Sequence, residues 1–165
     1  MTLAEAAATA DGLAQEGSER ELAQLRSQWA EEVESAVRSS DYRERAVAYR
    51  AIGQFRFRQK LELLRRGLED ESPACRGSAL LSLELLSRDH PGAVNAVRPL
   101  LHTVISDRQE NVAVRRLAVA CLRNGSPQRD TIVILDGLAG DDDEDRELRA
   151  AARRVSEGLR KKTRG

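Results

Sequence analysis

Histidine, cysteine and clustered carboxylates are the side chains of this sequence with the chemistry for a reactive or metal-binding centre. The two histidines, His90 and His102, are not followed by Glu and do not stand at metal-ligand spacing. Cys75 and Cys121 lack the spacing of a zinc site or a redox motif and fall inside apolar helical patterns. They read as buried thiols of a protein in a reducing cytosol. The acidic run Asp141 to Asp145 reads as a solvated helix cap rather than a metal site. No glycine-rich phosphate loop, nucleophile elbow or Cys–His pairing is present. The expectation is a non-enzyme with no catalytic residues, no cofactor and no metal.

Whatever these residues do, helices must position them. The 165 residues suit one domain or one short helical array, with 41% hydrophobic, 33% charged and only 3% aromatic residues. Leu, Ala and Arg recur and strand formers are sparse, which favours helices packed through aliphatic contacts. Lysine occurs only at Lys60, Lys161 and Lys162, a bias that a GC-rich bacterial genome would produce. The formal net charge is zero, which argues against a molecule-wide basic surface for nucleic acid or membrane while leaving room for a local one. The N-terminus has no basic region of a signal peptide, and no apolar stretch approaches the roughly 20 residues that span a bilayer. The expected location is cytoplasmic.

An internal repeat organises the chain. Four times an apolar helix is followed by an acidic turn and then by an Arg opening an Ala/Leu-rich helix. The anchoring arginines Arg45, Arg76, Arg115 and Arg149 are 31, 39 and 34 residues apart, the range of a two-helix repeat. Three positions after each anchor stands Ala48, Ala79, Ala118 or Ala152. Seven positions after stands Ile52, Leu83, Leu122 or, breaking the pattern, Ser156. Offsets of three and seven share one helical stripe, which should face the core. The segment from Ser78 to Leu86 is apolar on nearly every side, so Leu81 too is expected in the core. Helix boundaries are marked by Ser39-Ser40-Asp41, Ser72-Pro73, His90-Pro91-Gly92 and Asn124-Gly125-Ser126-Pro127.

The order of acidic turn, apolar residue, Arg, two residues and Ala resembles the second half of a HEAT repeat. Asp70-Glu71-Ser72-Pro73-Ala74-Cys75-Arg76 and Asp107 through Val114-Arg115 carry it most closely, and Ala51-Ile52-Gly53 resembles the close of such a helix. The resemblance covers roughly residues 20–160. It implies an all-α fold, an α-solenoid of about four stacked helix pairs, with 19–165 as the repeat domain. Residues 1–18, Ala-rich and broken by Asp11-Gly12 and Gly17, are either a capping helix or disordered. The resemblance also implies a ladder in which the turn acid of one repeat pairs with the anchoring Arg of a neighbour.

In such arrays the second helices line the concave face. With the stripe above facing inward, positions one, five and eight after each anchor should face outward. These include Arg50, Arg116, Ala120, Arg123 and Arg154, with Glu84 and Glu157 mixing the sign. A further candidate is the junction Gln54 to Lys60, where Phe57 and Arg58 interleave aromatic and basic groups; the same phenylalanines would also seal the turn between helices. The expected partner-binding residues are therefore Arg50, Arg116, Arg123, Arg154, Phe57 and Arg58, and the expected function is a protein-binding adaptor or scaffold. The alternative is a nucleic-acid binder similar to HEAT-like DNA glycosylases, which use a Trp and an Asp on a basic face; here Trp29 lies on a first helix and the total charge is neutral. HEAT-like iron hydroxylases depend on His-Glu pairs, and this chain has none.

Overall fold

The computed structural model describes residues 1–164; Gly165, the last residue of the expected repeat region, lies outside them. Every regular element among the described residues is a helix, in agreement with the all-α expectation. The chain forms two compact units, Met1–Leu86 and Ser87–Gly165.

The first unit contains α1 (Leu3–Glu16), α2 (Glu19–Ala36), α3 (Tyr42–Gln54), a 3-10 turn at Arg58–Lys60, α4 (Leu61–Leu68) and all but the last residue of α5 (Pro73–Ser87). Residues 3–16 are helical. Thr2 caps α1 reciprocally with Glu5, and Gly17 closes it at φ 75°, a left-handed conformation that glycine adopts without steric cost. Leu3, Ala6, Ala7 and Ala10 are buried. Their spacing turns one narrow stripe of small residues toward α2 and α3, both of which α1 contacts. Asp41 caps α3 by accepting from the Arg43 N–H at 2.9 Å.

The end of α3 depends on Arg56, a non-glycine residue at φ 60°. Its guanidinium folds back onto the carbonyls of Gly53 and Gln54 and reaches Asp11 of α1 at 2.8 Å. These bonds satisfy carbonyls that the helix end leaves open. They offset the cost of the left-handed backbone and tie α1 to the end of α3.

Where α3 meets α5, the two backbones nearly touch. A Cβ on Gly53 would lie 2.6 Å from the Cα of Ser82. The Ser82 hydroxyl, fully buried, donates to the Tyr49 carbonyl at 2.5 Å and accepts from the Gly53 N–H at 2.9 Å. A buried polar group is thereby paired, as burial requires.

The second unit contains α6 (Gly92–Asn95), α7 (Arg98–Ser106), α8 (Val112–Leu122), α9 (Arg129–Ala139) and α10 (Arg146–Arg164). Within it α7 pairs with α8 and α9 with α10, while α7 contacts α9 and α8 contacts α10. Asn111 caps α8, and Asp145 accepts from the Leu148 N–H at the start of α10.

The stripe at offsets three and seven is buried in all four repeats. Ser156, the exception in sequence, is also buried, and its hydroxyl donates to Asp136 of α9 at 2.5 Å. Leu81 corrects the sequence reading: it is 40% exposed, while its neighbours Leu80 and Leu83 are buried. It stands five positions after Arg76, on the outward register, so an apolar residue there does not mark the core.

Candidate partner-binding groove

The anchoring arginines hold the helix pairs together. Arg45 gives Asp70 a two-point contact at 2.9 and 3.1 Å and donates to the Ser39 carbonyl. Burial alone would raise the Asp70 carboxyl, but Arg45 and the Ser72 N–H outweigh it and hold it below its usual range. Arg115, buried, grips Glu144 at 2.8 and 3.0 Å and also donates twice to the Ile105 carbonyl. Hydrogen bonds from Arg115, working against burial, hold Glu144 low. Arg76 donates to the Asp70 carbonyl at 2.7 Å, and Arg149 reaches Asp142 at 3.1 Å. In Arg45 and Arg115 the acid belongs to the next repeat, so each guanidinium joins its own turn to the following one.

The arginines of the outward register have different surroundings. Between α8 and α10 lies a depression of about 230 Å³ lined by Arg116, Val119, Ala120 and the C-cap residue Arg123 on the α8 side and by Ala151, Arg154, Val155 and Gly158 from α10. Each helix contributes residues spaced i, i+3, i+4 and i+7, the period that keeps one face of a helix in register. The floor is small and apolar, and the rim is guanidinium.

Two cross-links close the ends of the groove. Arg116 pairs with Glu147 at one end, and at the other Lys162 donates to the Arg123 carbonyl at 2.7 Å. Arg154 is exposed, and among the described residues it has no ion-pair partner. The structure thus brings Arg116, Arg123 and Arg154 to one feature of the second unit.

The remaining expected contacts lie in the first unit and do not share that character. Phe57 is 4% exposed, its ring centroid 5.2 Å from that of buried Phe55, with the Lys60 ammonium over its face. Its ring therefore seals the turn after α3 and offers no surface to a partner, because burial against Phe55 removes it from solvent. Arg58 is exposed on the 3-10 turn. Arg50 is half-buried, and its Nη1 atom is enclosed without a hydrogen-bond partner among the described residues.

Sequence reasoning missed a second hollow, an open one of about 410 Å³ lined by Ala30, Glu31, Glu34, Ser35, Arg38 and Lys60. Three of its charges are engaged with one another: Lys60 meets Glu34 at 2.5 Å, and Arg38 lies 3.8 Å from Glu34. The hydrogen bond from Lys60 lowers the Glu34 carboxyl. The long separation of Glu34 and Lys60 left no local signal for this pairing.

Among the described residues no three of His, Cys, Asp and Glu converge as a metal site would require, and no helix is long and apolar enough to cross a membrane. Cys75 and Cys121 are buried, and among the described residues neither forms a disulfide. His102 contacts Thr131 through Nε2 at 2.8 Å, and burial, followed by the charge of Arg98, lowers its imidazolium. Comparison with curated proteins finds no match. The family described as HEAT repeats matches residues 33–108, a stretch running from the end of α2 through α7. That match over residues 33–108 supports a HEAT-repeat family for this chain.

Proposed function

We propose that the protein is a non-catalytic adaptor or scaffold that binds another protein through the groove between α8 and α10. One observation carries this reading: an apolar floor and a guanidinium rim meet on a surface that the fold does not fill. Partly desolvated arginines around small apolar residues are the composition of protein contact sites. HEAT repeats commonly serve protein interaction, which supports the same reading. Arg58 is a secondary candidate contact. Buried thiols outside any disulfide suit a reducing compartment such as the cytoplasm.

A nucleic-acid ligand has one observation in its favour. Residues 146–164 carry eight basic and two acidic side chains, and the second unit as a whole has 15 basic against 12 acidic residues. The apolar floor and the engagement of Arg116 by Glu147 favour protein.

Affinity capture from the native host, with wild type beside an Arg116→Glu/Arg154→Glu variant, tests the proposal. A protein recovered with wild type and lost with the variant is the expected result. Recovery of nucleic acid alone, released by salt, overturns it, since phosphate-driven binding falls steeply with salt.

A further inference from the structure

We infer that the α8/α10 groove takes an acidic, small-to-aliphatic helical segment of the partner protein. This inference rests on the groove being the contact site and adds the chemistry of what enters it. The lining residues 116–123 and 151–158 each run roughly 10 Å along their helices, matching about two turns of a docked helix. Its floor of Ala120, Ala151, Val155 and Gly158, with fully buried Val119 beneath, suits Ala-, Val- or Leu-sized groups.

Charge selects the sign of the occupant. Arg154, without an ion-pair partner among the described residues, and Arg123 stand on the rim together with Arg116. Lys161, seven residues beyond Arg154, extends the same helical row. Glu147 already occupies Arg116, so the groove holds a carboxylate–guanidinium pair of the kind an acidic guest would make. An incoming carboxylate can displace Glu147 or bridge to Arg154, whereas a basic guest meets like charge along the rim.

Gly158 sets the depth. A Cβ there would meet nothing within 4 Å, so no internal packing requires glycine inside this helix, where it is disfavoured relative to alanine. What its absent side chain leaves open is the groove itself.

The test uses the full chain, labelled with nitrogen-15, titrated with a synthetic amphipathic peptide of about four helical turns. One edge of the peptide carries Glu and the other Ala and Leu; a counterpart carries Lys in place of Glu. The expected result is saturable binding of the Glu peptide, with amide shifts at Val119, Ala120, Ala151, Val155 and Gly158. Arg154→Glu should weaken it about tenfold or more. Gly158→Leu should abolish it while the thermal melt is retained, and Gly158→Ala gives the smaller obstruction should Leu impair folding. The absence of saturable binding, shifts on another face, or equal binding of the Lys peptide overturns the inference. So does a single-stranded oligonucleotide that displaces the Glu peptide and binds more tightly. A native partner that needs Arg154 yet docks a neutral or basic segment overturns the acidic guest while the adaptor reading stands; a native partner indifferent to Arg116 and Arg154 overturns the groove itself.

Discussion

Two glycines on second helices show how the same residue type serves opposite ends. Gly53 is needed by the fold, because the Ser82 backbone occupies the space of a Cβ. Gly53→Ala should destabilise the protein by about 1 kcal/mol or more, the clash outweighing the gain in helix propensity. Gly158 faces open space, and Gly158→Ala should stabilise by roughly 0.5–1 kcal/mol. Urea unfolding of the two variants beside wild type checks both signs. Arg115 is the residue whose loss should cost most among the anchors. Arg115→Met leaves Glu144, its side chain 6% exposed, with only the more distant Arg108 at 3.7 Å, and the Ile105 carbonyl without its donor. Breaking a buried pair from one side costs about 3–5 kcal/mol, measurable as a fall in the urea midpoint.

At the scale of the element, helical register decides which apolar residues are structural. On α5, Leu83 lies on the buried stripe at 2% exposure and Leu81 on the outward face at 40%. Leu83→Asp places an unpaired charge in the core and should abolish cooperative unfolding, whereas Leu81→Asp should leave a folded protein. Circular dichroism melts of the two variants distinguish these outcomes. The first helix shows the complementary constraint. Ala6, Ala7 and Ala10 have no exposed surface, so α1 approaches its neighbours through residues that cannot grow. Ala7→Leu should cost about 1–3 kcal/mol by overpacking.

For the whole molecule, charge balance conceals a division. The first unit carries 12 basic and 15 acidic residues and the second 15 and 12, so a neutral total coexists with a basic groove. The paired carboxylates also set the response to acid. Asp70 and Glu144 are held low against burial by their arginines, and Asp136 by Arg160 and Ser156. A carboxyl lowered in the folded state contributes stability above its unfolded value, and that stability is lost as pH falls through the lowered one. The urea midpoint should therefore be level down to about pH 5 and decline below about pH 4. In Arg115→Met the decline should be shallower, because Glu144, left with Arg108 alone, has a less lowered folded value to lose.

The helix pairs, their boundaries and the buried stripe were legible in the sequence because they follow from local periodicity and capping, which act over a few residues. The anchors were legible for the same reason, since each recurs at one place in its repeat. Tertiary structure alone decided which acid each anchor meets: Arg115 takes Glu144 from within the acidic run rather than one of the adjacent aspartates. It also decided that Leu81 is outward and Phe57 inward, because burial depends on what packs against a residue and not on its own polarity. The groove belongs to both levels. Its arginines could be named from their offsets, but their gathering over Val119, Val155 and Gly158 requires α8 and α10, separate in sequence, to lie side by side.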